Sequence, residues 1–186
     1  GIDTDSGIDT DTDSGIDSDS GIDSGADPGP DADLLRSTHW RVVNAVEVSD
    51  HWNISELTMY RDRACSDSLS DAVAEITAVT DDDCADDEAG VEVINDGECN
   101  FTGHCSPGNW ANSSSASGAE EIWVGYQMDS SEPVGCISIC QSRFDIQRVN
   151  EVILQRSSDE GATWESVSTI TTETSDRSTA TIFVVE

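Results

Sequence analysis

Every odd position from Gly1 to Asp27 is Gly or Asp, and every even position through Ser24 is Ile, Thr or Ser. A two-residue period does not suit a helix, but it suits an extended strand, whose successive side chains point to opposite faces. Ile2, Ile8, Ile16 and Ile22 are separated by 6, 8 and 6 residues. These even intervals put the four on one edge with Thr4, Ser6, Thr10, Thr12, Ser14, Ser18, Ser20 and Ser24, while the aspartates take the other edge. Residues 1–27 therefore read as an extended arm, residues 28–34 (PGPDADL) as a stiff Pro/Gly hinge, and residues 35–186 as one folded body.

Extended, the arm spans about 90 Å, whereas a globule of about 150 residues is about 40 Å across. An ordered arm is too long for its own body to absorb, so it must lie across neighbours. Such an arm-to-next-body contact is heterologous and propagates into a filament when the rotation does not close. Ile2, Ile8, Ile16 and Ile22 are then the assembly contacts. Three readings stay open for this face: a strand added to another subunit's sheet, an array of O-glycosylated hydroxyls on the Ser and Thr residues named above, or plain disorder.

Net charge is −31, and the chain has no lysine. Nucleic acid and anionic membrane surfaces both demand a basic footprint and are therefore poor partners; no nucleic acid is expected to bind. No apolar run approaches the length of a membrane span. Residues 1–33 hold 11 aspartates and no base, so the body is acidic in its own right, with 28 acids against eight arginines. The six cysteines, Cys65, Cys84, Cys99, Cys105, Cys136 and Cys140, have no repeated Cys-x-x-Cys spacing and read as disulfides of an oxidising, extracellular compartment. The chain starts at Gly and is read as a processed or partial secreted chain.

Within the body, alternation recurs at Trp40 and Val42 with Val46 and Val48, at Trp52 and Ile54, and from Ile122 to Met128. It returns at Ile137 and Ile139, at Val152 and Leu154, and at Phe183 and Val185. Short strands between turn-rich loops predict an all-β fold, a jelly roll or β-sandwich carrying the long extended N-terminal arm. The segment 66–79 is the one stretch that reads as a helix. Strand geometry puts Cys136 and Cys140 on one face about 13 Å apart, beyond the roughly 7 Å limit of a disulfide, so these two do not bond each other. Cys99 and Cys105 bracket a short loop and are candidates to pair locally, with Cys65 and Cys84 cross-linking to the central strand.

Toward the C-terminus, the run from Val149 to Trp164, with Ser158-Asp159-Glu160-Gly161 before Ala162-Thr163-Trp164, resembles the strand and "S-x-D-G-x-x-W" turn of discoidin domains. These are the coagulation-factor C-type, galactose-binding-like jelly rolls. Ile94-Asn95-Asp96-Gly97 is similar to their "F-D-G" loop, and Ile122-Trp123-Val124-Gly125-Tyr126 to the strand that follows it. Order and approximate spacing match over residues 40–186. The resemblance implies a sandwich with a loop-based binding face and no reaction. It also implies a structural calcium beside the Asp96 loop, with Glu98 as a second ligand; the competing reading is a turn aspartate satisfying its own backbone.

Asn53, Asn100 and Asn112 each open an N-glycosylation sequon and are assigned to loops. On the arm, Asp9, Asp11 and Asp13 have the alternation of a calcium loop, but the sixth position of an EF-hand falls on Ser14 rather than Gly15. A flat strand also spaces alternate carboxylates about 6.6 Å apart, too far for a compact oxygen cage. Zinc at His104 with Cys99 and Cys105 lacks a second cysteine pair of finger spacing. No nucleophile elbow, zincin motif or phosphate loop occurs, and the context of His39, His51 and His104 suggests no triad. Of the tryptophans at 40, 52, 110, 123 and 164, Trp110 in its polar loop is the expected exposed one. The function expected is an extracellular structural glycoprotein that self-assembles through its arm, needs no cofactor and carries covalent glycans. The alternative is a carbohydrate-binding adhesin or lectin module with the arm as an acidic stalk.

Overall fold

Two antiparallel sheets face each other around the core, as the alternating segments require. The computed structural model describes residues 31–79, 91–97, 99, 110–111, 118–142, 144–172 and 181–185. Its strands are β1 (Arg36–Asn44), β2 (Asn53–Tyr60), β3 (Val73–Ala78), β4 (Trp110–Ala111), β5 (Trp123–Pro133), β6 (Cys136–Gln141), β7 (Glu151–Ser157), β8 (Glu165–Thr171) and β9 (Thr181–Val184). A five-stranded sheet runs β3-β5-β1-β7-β8 and a four-stranded one β4-β2-β6-β9. The arm, including Ile2, Ile8, Ile16 and Ile22, lies outside the described residues.

Inward positions of both sheets supply the core: Trp40 and Val42 of β1, Ile54 and Leu57 of β2, Val124 and Tyr126 of β5, Ile137 and Ile139 of β6, and Val152 and Leu154 of β7. Burying each large apolar side chain contributes roughly 1.5–3 kcal/mol. Trp40 sits at the middle of the five-stranded sheet, opposite Tyr126 on one side and Arg156 on the other. Its indole Nε1 donates to the carbonyls of Ser37 and Glu132, both at 3.1 Å. The Tyr126 hydroxyl crosses between sheets to donate to the Leu57 carbonyl.

The alternation expected to continue through Val46 and Val48 stops at Asn44, for a local reason. The Asn44 amide donates to the carbonyls of Val46 and Gly118 at 2.9 and 2.7 Å, and its oxygen accepts from the Ile122 N–H at 2.8 Å. A side chain satisfying three backbone groups turns the chain out of the ladder. Val48 still reaches the core as a loop residue.

The helix expected over 66–79 is not formed. The Asp62 carboxylate accepts from the backbone N–H of Ser66 and Asp67 at 2.8 and 3.1 Å, which closes a turn. The Leu69 N–H then donates to the Met59 carbonyl, and Val73–Ala78 joins β5 as an edge strand. Valine and threonine content favours that outcome over a helix.

Among the described residues, two disulfides reinforce the sandwich. Cys65 in the β2–β3 loop bonds Cys136 at the start of β6, and Cys99 bonds Cys140 farther along the same strand. Cys65 thus reaches the central strand and the two β6 cysteines do not bond each other, but the local Cys99–Cys105 pair is overturned. The side chains of alternate β6 residues share a face, and each is met by a different loop. Cys84 and Cys105 lie outside the described residues.

Candidate functional site

The inward phase of β5 is Val124, Tyr126 and Met128, so Trp123 and Gln127 project from the outer face of the five-stranded sheet, with Gly125 between them. Register then builds two rows across that face. Thr77, Gly125, Arg41 and Gln155 lie side by side, and Glu75, Gln127, His39 and Ser157 form the next row. Above the rows opens a cleft of about 320 Å³, lined by His39, Glu75, Thr77, Trp123, Gln127 and Trp164, together with Gly125, Glu160 and Gly161 and, beneath, Trp40 and Tyr126.

Arg41 fixes the walls. Its guanidinium lies 4.2 Å from the Trp164 ring centroid and 5.5 Å from that of Trp123, a stack that locks both indoles in place. Its Nε donates to Gln155 Oε1 at 2.7 Å, which fixes the plane of the stack. Burial pulls the Arg41 pKa down and the nearby Glu120 carboxylate partly offsets this. Gly125 keeps the floor open: a Cβ there would lie 3.2 Å from the Trp40 carbonyl oxygen, 3.3 Å from Arg41 Cβ and 3.4 Å from the Trp123 ring.

The far wall is delivered by the turn between β7 and β8. Asp159 Oδ1 accepts from the Thr163 N–H at 2.8 Å and the Ser157 hydroxyl at 2.7 Å, and Oδ2 accepts from the Thr163 hydroxyl at 2.6 Å. Ser157 Oγ in turn accepts from the Gly161 N–H at 2.8 Å. Glu160 at φ 58° and Gly161 at φ 87° take the left-handed conformations that fold this turn back toward Trp164. Hydrogen bonds led by the Thr163 hydroxyl hold the Asp159 pKa down at about 2. A carboxylate held below its unfolded value of about 3.9 adds stability above that pH and loses it as pH falls through the folded value. The Thr163 amide proton is therefore expected to titrate by NMR with a midpoint near pH 2; a midpoint near 4 would show that Asp159 does not hold the turn.

Several residues singled out from sequence lie elsewhere. Trp110, expected at the surface, is fully buried opposite Ile54, because its short strand β4 closes the edge of the second sheet. The partly exposed tryptophans are instead Trp123 and Trp164. Asn53, expected in a glycosylated loop, is a fully buried residue of β2 with neither amide atom bonded, so its folded environment has no space for a glycan. Asn100, Asn112, Glu98 and His104 lie outside the described residues. Asp96 sits beside Glu56, whose carboxylate accepts from the Gly97 N–H at 3.0 Å and the Thr58 hydroxyl at 2.7 Å. Burial pushes the Glu56 pKa up, and the charge of Asp96 adds to the rise. Among the described residues, no group of three His, Cys, Asp or Glu side chains is arranged to hold a metal ion. His39 enters the cleft with Nδ1 2.9 Å from the Thr38 hydroxyl. His51 pairs with Asp50 at 3.2 Å, away from the cleft lining.

The sequence does carry a signal for the cleft. Once Ile122, Val124, Tyr126 and Met128 face inward, Trp123 and Gln127 must face outward with a side-chain-free position between them. No helix among the described residues is long and apolar enough to cross a membrane. Compared with known proteins, the chain matches no family model, no curated protein and no solved structure.

Proposed function

We propose that the body is a saccharide-binding β-sandwich of an extracellular protein, with the acidic arm as its stalk. The observation that carries this reading is the cleft itself, two indoles braced by one arginine over a glycine floor and edged by Gln127, Thr77, His39, Glu75 and Glu160. Indole faces pack against the C–H faces of a pyranose, while amide, hydroxyl and carboxylate groups at the rim exchange hydrogen bonds with its hydroxyls. The discoidin-like resemblance over residues 40–186 supports a binding module without a reaction. The disulfides Cys65–Cys136 and Cys99–Cys140 suit an oxidising compartment.

A titration of the full chain against hexasaccharides tests this reading. Trp123→Ala and Trp164→Ala are each expected to weaken binding about 30-fold, the roughly 2 kcal/mol of an aromatic anchor. Undiminished affinity in both variants would place binding elsewhere. Assembly through the arm is an additional proposal that rests on the alternation of residues 1–27 alone. Electron microscopy of the full chain addresses it directly.

A further inference from the structure

We infer that the cleft selects a sugar bearing a free ammonium group, a hexosamine, over uronic or sulfated sugars. This rests on the saccharide reading and adds the charge of the ligand to it.

The lining carries two carboxylates, Glu75 and Glu160, and neither lysine nor arginine. Arg41 stands behind the walls rather than in the lining, with its face stacked on Trp164 and Trp123 and its Nε held by Gln155. Among the described residues, neither carboxylate has an arginine partner. The ion pairs on the same sheet, such as Arg156 with Glu165 at 2.7 Å, use other acids. Glu75 extends from β3 on one side of the cleft, and Glu160 from the β7–β8 turn on the other. A ligand ammonium between them would gain charge-assisted hydrogen bonds, and it would meet two indole faces that attract cations. An anionic sugar would face like charge at the cleft and across a chain with net charge −31.

The test is isothermal titration of the full chain with disaccharides at 150 mM salt, where non-specific attraction to an acidic surface is screened. The ligands are the glucosamine dimer, its N-acetylated form, cellobiose and digalacturonate. The glucosamine dimer is expected to bind at least 10-fold tighter than cellobiose, and digalacturonate to bind least. Glu75→Gln with Glu160→Gln should abolish that preference, so that the glucosamine dimer binds no tighter than cellobiose. Glu47→Gln with Glu151→Gln, which removes the same charge outside the cleft, should leave the preference intact. Equal loss in both double variants would show a bulk charge effect and overturn the inference. So would a glucosamine dimer no tighter than cellobiose, or digalacturonate binding as tightly as either. Failure of all four ligands to bind would overturn the saccharide reading itself, and this inference with it.

Discussion

Replacing Cys65 and Cys136 together with alanine is expected to lower the free energy of unfolding by about 4 kcal/mol. The bond closes a loop with a sequence separation of 71 residues, and the loop-closure entropy it removes from the unfolded chain is worth about 4.4 kcal/mol at that length. Native contacts around the bond are unusually close. A Cβ on Gly135 would fall 2.6 Å from the Asp62 carbonyl carbon and 2.8 Å from the Arg63 nitrogen, so the β2–β3 loop presses directly on the start of β6. Arg63 anchors the same loop through Asp33 at 2.8 Å and through the Val185 carbonyl at 3.3 Å. Alanine, which adds no polar atom, suits the Cys136 position, which is fully buried. Urea unfolding checks the prediction, and a loss under 1 kcal/mol would mean that these contacts hold the loop without the bond. Against a total stability of about 5–15 kcal/mol, the expected loss is severe.

The all-β architecture was legible because alternation maps directly onto strands that bury one face. The segments holding Trp40, Ile54, Val124, Ile137 and Leu154 all form strands with those residues inward. What escaped the sequence reading was tertiary. The Asn44 side chain ends β1 through hydrogen bonds to three backbone groups, of which Gly118 and Ile122 are distant in the chain, and no window around Asn44 encodes those two. The partner of Cys99 depended on which loop the sandwich would bring beside Cys140, a question of topology rather than spacing. The polar neighbours of Trp110 point to the surface, yet its pairing with Ile54 on the sheet edge decides its burial. The cleft was half legible. The phase of β5 exposes Trp123, but only the Asp159-centred turn carries Trp164 across to face it.

The fate of the five tryptophans separates packing from recognition, and Trp40→Ala is the sharpest test of the division. Trp40 is fully buried at the centre of the five-stranded sheet, and its removal is expected to cost about 3–5 kcal/mol in lost burial and residual cavity. The loss extends beyond area. The Ser37 and Glu132 carbonyls that accept from its Nε1 lose that donor, and Glu132 also holds Arg61 at 3.1 Å beside the β5–β6 connection. Trp40→Phe should therefore recover much of the packing and still fall short of wild type by about 1 kcal/mol, the worth of a buried hydrogen bond. Trp164→Ala has the opposite profile: its ring is partly exposed and packs on Arg41 rather than in the core, so unfolding should shift little while saccharide binding falls. Differential scanning calorimetry and titration of the same two variants distinguish these outcomes. Equal destabilisation by both would mean that Trp164 belongs to the core, and the cleft would lose its wall.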